Sequence, residues 1–180
     1  MLMSRTECLK HYGSDYFIQQ NVREGKIFQI DKGIYSDQPH VPELAVKTFK
    51  YPKAIVTMQS AFYRHGLTDV IPDSIDLATD RNAAKIRDEH VHQYFMPPDF
   101  YEAGVETVLE QGYPIRIYNR ERMLIELLRN KNALPFDLYK EILLNYRRIL
   151  PQLDIQQIQD YAMAAPKSNL IMNSLQMEVM

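Results

Sequence analysis

Ser14, Gln19, Gln20, Asn21 and Arg23 bring hydroxyl, amide and guanidinium donors into one short segment, and Lys26 and Lys32 follow. Amide and hydroxyl groups can bond base edges in a DNA major groove, while Lys and Arg hold backbone phosphates. From Met1 to Tyr35, Arg5, Lys10, Arg23, Lys26 and Lys32 stand against Glu7, Asp15, Glu24 and Asp31, an excess of one positive charge. That is thin for a groove reader. A small helical cap packed on a larger domain is the equal alternative.

A stronger basic stretch lies later. Between Arg116 and Arg148 eight cations, including Arg120, Arg122, Arg147 and Arg148, outnumber Glu121, Glu126, Asp137 and Glu141. If segments 120–130 and 136–150 are helices sharing a face, they form an auxiliary phosphate-binding surface. The alternative is a solvated face with ordinary ion pairs. His90 and His92 alternate on one strand face, the beginning of a metal site, but no carboxylate or thiolate set completes it, and a solvent-facing strand is the simpler reading. His65, before Gly66, is placed to answer the last carbonyls of a helix. No metal or other cofactor is expected.

Catalytic motifs are missing. Gly13-Ser14 resembles the opening of nucleotidyltransferases, yet no Asp-x-Asp pair follows at the required distance to hold Mg²⁺. Asp73, Asp76 and Asp80 come far downstream, in a context that suits turns. There is no phosphate loop, G-x-S-x-G or H-E-x-x-H. Cys8 is the only cysteine, and packing on a helix is its expected role. No catalytic residues are assigned and no enzyme is expected.

The elements that must position the donor array are legible. Ser4-Arg5-Thr6-Glu7 has capping-box form, so a helix starts at Arg5, and Gly13 can end it. Ser14 can cap a second helix through Arg23, with Tyr16, Phe17, Ile18 and Val22 inward and Gln19, Gln20 and Arg23 outward. Lys26–Ile30 reads as a strand, 31–33 as a turn, and Ile34-Tyr35 as the return strand. Two short helices and a hairpin in this order describe a winged helix-turn-helix.

Beyond a proline-containing linker, segments 43–49 and 54–66 read as helices. Strands are expected at 74–79, 90–95, 105–109 and 114–118, and helices from Asn119, over 136–150, over 155–163 and from Ser168. The whole is α+β, with a small, mostly antiparallel sheet and C-terminal helices. The expected division is 1–40 for the head and 41–180 for the body.

A 46% hydrophobic and 24% charged composition is that of a core-forming chain, and a net charge of −2 gives no global attraction to nucleic acid or membrane. No stretch has the length of a signal peptide's apolar core or of a spanning helix. A cytoplasmic location without membrane contact is expected.

Four words along the chain carry a resemblance. Ser60-Ala61-Phe62-Tyr63-Arg64-His65-Gly66-Leu67-Thr68, followed by Pro72, resembles the S-A-L-x-x-H-G-L-T-x-x-x-P signature of AbiEi-type antitoxins. These are the regulator halves of type IV, abortive-infection toxin–antitoxin pairs. Lys32-Gly33-Ile34-Tyr35 is similar to the family's R-G-x-Y wing closure, Gly104-Val105-Glu106-Thr107-Val108 to its G-x-E-T-V strand, and Tyr118–Leu124 to its Y-x-x-E-R-T-L helix start.

The resemblance implies an N-terminal winged helix, with 14–23 the recognition helix and 26–35 the wing, and a C-terminal antitoxin domain. The family's head usually has a further helix before the one starting here at Arg5, so the head is expected in shortened form. Family members bind inverted repeats in their own promoter and repress the operon. They also counteract a nucleotidyltransferase toxin, generally without a stable complex. The implied partners are promoter DNA, that toxin as a functional antagonist, and a second copy of the chain on DNA. The expected DNA contacts are Ser14, Gln19, Gln20, Arg23, Lys26 and Lys32 in the head, with Arg120, Arg122, Arg147 and Arg148 in the body. The alternative is a regulatory or protein-interaction module that keeps the fold without reading DNA.

Overall fold

A computed structural model describes residues Met1–Met180 as an α+β chain with two small sheets. It divides into two compact units, Met1–Lys53 with Val108–Ile115, and Ala54–Thr107 with Arg116–Met180. The first unit thus extends past the expected limit at residue 40 and takes in part of a distant hairpin.

The first unit opens with strand β1 (Leu2–Ser4), then helices α1 (Arg5–Tyr12) and α2 (Asp15–Arg23). Strands β2 (Phe28–Asp31) and β3 (Ile34–Ser36) form the hairpin, and helix α3 (Glu43–Lys50) follows. β1 is additional to the expected elements. It pairs antiparallel with β3, opposite β2, so that β3 is central. The local signals act as expected. Ser4 and Glu7 form a reciprocal capping box on α1, and Ser14 caps α2 by accepting from the Phe17 N–H. Cys8, Ile18, Ile27 and Tyr35 make the core of this unit, flanked by Met3, Leu9, Tyr12 and Val22.

The second unit contains β4 (Ile55–Val56), α4 (Met58–Arg64), β5 (Ile75–Asp80), β6 (Val91–Met96) and α5 (Pro98–Tyr101). The hairpin β7 (Val105–Glu110) and β8 (Tyr113–Tyr118) completes a five-stranded sheet ordered β6-β5-β4-β8-β7. Helices α6 (Arg120–Arg129), α7 (Phe136–Ile149), α8 (Ile155–Ala164) and α9 (Ser168–Ser174) follow, and a π-helical turn, Leu175–Val179, closes the chain.

Two expectations are corrected here. The segment 54–66 is a strand and a shorter helix rather than one helix, because Ile55 and Val56 pair with Ala78 and Leu77 before Thr57 turns the backbone into α4. The sheet is mixed rather than mostly antiparallel: β4 runs antiparallel to β5, but β5–β6 and β4–β8 are parallel. No helix is long and apolar enough to cross a membrane.

α6 is the axis of this unit's core. Every residue from Arg122 to Leu128 is buried, and Met123, Leu124, Ile125 and Leu127 have no exposed surface. Gly66, in the left-handed region at φ 70°, ends α4: its N–H donates to the Tyr63 carbonyl and that of Leu67 to the Phe62 carbonyl. That double bond is a Schellman closure, which favours glycine.

Candidate nucleic-acid interface

α2 has one dry side. At 100° per residue, Ile18, Asn21 and Val22 share one arc, and Ile18 is fully buried. Gln19, Arg23, Tyr16 and Gln20 follow one another around the opposite arc, and all four are exposed. Gln19, Gln20 and Arg23 therefore face outward as expected. Tyr16 and Phe17 were expected inward and instead stand 71% and 51% exposed. Only a narrow stripe of α2 faces the core, and Ile18 and Val22 fill it.

The turn of the hairpin is tied to the start of this helix. The Arg5 N–H donates to the Gly33 carbonyl at 2.8 Å. The Arg5 guanidinium in turn grips Asp15, the first residue of α2, with Nε and a terminal nitrogen at 2.9 and 2.5 Å from its two carboxylate oxygens. Lys32, in the turn, is thereby held on the side of the unit where α2 begins. Asp15 holds the Arg5 guanidinium still more firmly protonated than usual.

The charges of the head pair internally. Asp15 is matched by Arg5, Glu24 by Lys26 at 2.7 Å, and Asp31 by Lys50 at 2.9 Å. The bond from Lys26 holds the Glu24 carboxyl below its ordinary range, helped by the Gln20 amide. Of the expected contacts, Gln19, Arg23 and Lys32 carry no hydrogen-bonded or ionic side-chain partner, whereas Lys10 interacts with Glu7. Ser14 is engaged as a cap, Gln20 and Lys26 are engaged with Glu24, and Asn21 bonds back to the Phe17 carbonyl. Pairs this exposed exchange readily with other partners.

The body supplies less. Arg122 is not a surface cation. It is fully buried, with Nη1 donating to the Phe100 and Ala103 carbonyls at 2.6 Å and Nε to Glu126 at 3.0 Å. Its guanidinium stacks 3.5 Å from the Phe100 ring centre and 4.2 Å from that of Tyr118. Burial of nearly all of α6 likewise removes the expected basic face shared with 136–150. Arg120 remains exposed and reaches the His65 carbonyl; Arg147 bonds the Glu178 carbonyl at 2.8 Å and Arg148 bonds Asn145.

Three of the four words of the resemblance are linked around Tyr118–Arg122, and the fourth, Lys32–Tyr35, lies in the first unit. A Cβ on Gly104 would lie 2.5 Å from the Arg122 Cβ, so this close approach admits only glycine. The Asn119 N–H donates to the Gly104 carbonyl, and the Asn119 side chain caps α6. His65 donates from Nε2 to the Tyr118 carbonyl at 2.7 Å. Burial lowers its pKa, so it pins α4 to β8 as a neutral ring rather than answering the helix dipole as a cation.

Asp76, read from the sequence as suiting a turn, lies instead on a strand. Buried on β5, it accepts the Gln59 N–H at 2.8 Å at the start of α4 and lies 3.7 Å from His92 Nδ1. Burial pushes its pKa up to about 6, against the opposing pull of the Gln59 and Ser60 N–H groups and of His92. His90 sits by Glu89 instead, and no three ligating side chains converge on a common point. Cys8 is buried, and desolvation raises its thiol pKa, as suits packing.

No protein-family model matches this chain, and no curated protein matches it at a significant level of sequence similarity.

Proposed function

We propose that this chain is an AbiEi-like antitoxin and transcriptional repressor that binds inverted repeats in its own promoter. The observation that carries the reading is the first unit's order, β1–α1–α2–β2–β3 with β3 central, which leaves the polar arc of α2 in solvent. We read this order as a winged helix-turn-helix. α2 is the recognition helix, the β2–β3 hairpin is the wing, and Arg23 and Lys32 are the cations available to phosphates. The linkage of three of the resemblance words around Arg122 supports the antitoxin assignment of the second unit. The toxin countered is a nucleotidyltransferase, opposed without a stable complex.

The test is a titration of duplex DNA from the chain's own upstream region. Wild-type protein binds at low salt. Arg23→Ala and Lys32→Ala each weaken binding and reduce the salt slope by about one, with folding unchanged. Failure of the wild type to bind this DNA contradicts the proposal. The exposed Tyr16–Phe17 pair favours the second reading, a protein-interaction module, if that occurs.

A further inference from the structure

Tyr16 and Phe17 are large apolar side chains held in water at the start of α2, their rings edge-to-face with centroids 5.4 Å apart. Neither belongs to the packed core of the unit. Tyr16 lies on the polar arc of α2, within about 20° of Arg23 and 60° of Gln19 at the helical repeat. Phe17 borders the same arc. An occupant of this face must therefore meet aromatic carbon, a free amide and a cation together.

The surrounding charge narrows the choice. At the near end Lys32 stands free of any ion pair while Asp15 is neutralised by Arg5; at the far end Arg23 is free and Glu24 is matched by Lys26. The nine residues of α2 span about 13 Å, so cations bracket the aromatic pair along a length that suits one groove crossing. In the major groove the one apolar base-edge group is the thymine C5-methyl, which aromatic side chains contact, and glutamine pairs with adenine. An A·T pair presents both.

Resting on the DNA-binding reading above, we infer that Tyr16 and Phe17 are specificity-determining residues that contact thymine methyl groups, beside Gln19 reading adenine. They select A·T pairs, and the cations supply affinity without choosing sequence.

The experiment uses the full chain and a randomised duplex pool. Tight-binding duplexes are selected, and each thymine is then replaced singly by uracil, which removes only the C5-methyl group. Wild-type affinity is expected to fall about three- to ten-fold at one or two thymines per half-site, the scale of a lost base contact. Tyr16→Ala with Phe17→Ala should bind more weakly and lose this sensitivity, while keeping the wild-type salt slope. Both side chains are exposed, so the variant's unfolding midpoint provides the folding control. Sequence-selective binding with equal uracil penalties in wild type and variant overturns the inference and leaves DNA binding standing. Unaltered DNA binding by a variant that has lost self-association assigns the pair to a protein contact and also overturns it. Absence of any DNA binding by the wild type overturns both readings.

Discussion

Arg122 and Asp76 have ionisable side chains whose consequences depend on burial. Arg122, with Glu126 one helical turn away, has the same sequence spacing as a surface ion pair. The legible difference was in the neighbours: Met123, Leu124, Ile125, Leu127 and Leu128 leave no arc of α6 polar enough to face water. Counting charges alone put Arg122 on the surface. Glu126→Gln should destabilise the protein by about 3–5 kcal/mol in urea unfolding, since it leaves the guanidinium buried without a counter-charge. For Asp76 the folded pKa stands at about 6, above its ordinary 3.8. Between those values the folded state binds more protons than the unfolded one, so this group's contribution falls as pH rises through about 4 to 6. Relative to Asp76→Asn, which cannot titrate there, wild-type stability should decline by about 2 kcal/mol from pH 4 to 7 in denaturant unfolding. An equal pH profile in the two proteins would show that Asp76 is not held as described.

At the scale of elements, the ends were more readable than the pairings. Ser4, Glu7, Gly13, Ser14 and Asn119 mark helix boundaries through bonds to atoms a few residues away, and each acts at the boundary where it was read. β4 was hidden inside a helical repeat because Ile55 and Val56 fit either period, and only pairing across to Leu77 and Ala78 decides between them. The same limit explains the mixed sheet: alternation locates strands without naming their partners. The face of α2 was partly readable, since the helical repeat itself places Tyr16 beside Arg23; expecting aromatics to be buried concealed it. The Arg5–Asp15 bridge, between α1 and α2, yields a prediction at this scale. Asp15→Asn removes a negative charge at the start of α2 and, on the proposed reading, frees Arg5 for a phosphate. Fluorescence-anisotropy titration should show tighter DNA binding and a salt slope steeper by about one. Weaker binding would mean that the bridge holds the head in its binding geometry.

For the whole molecule, a net charge of −2 says little about nucleic acid, because the relevant quantity is which charges remain unmatched on one face. Pairing within the head leaves Arg23 and Lys32 available, and the matched Asp15, Glu24 and Asp31 no longer oppose an approaching phosphate. On the proposed reading, an inverted-repeat operator would add a symmetry requirement: two copies would place their α2 helices about one DNA turn, or a multiple of it, apart. The most direct test of the central claim is the affinity of the full chain for its own upstream duplex across a series of salt concentrations. Saturable binding is expected, its log affinity falling linearly with log salt with a slope of about −2 per bound copy for two phosphate contacts. No binding at low salt, or binding indifferent to salt, would contradict it.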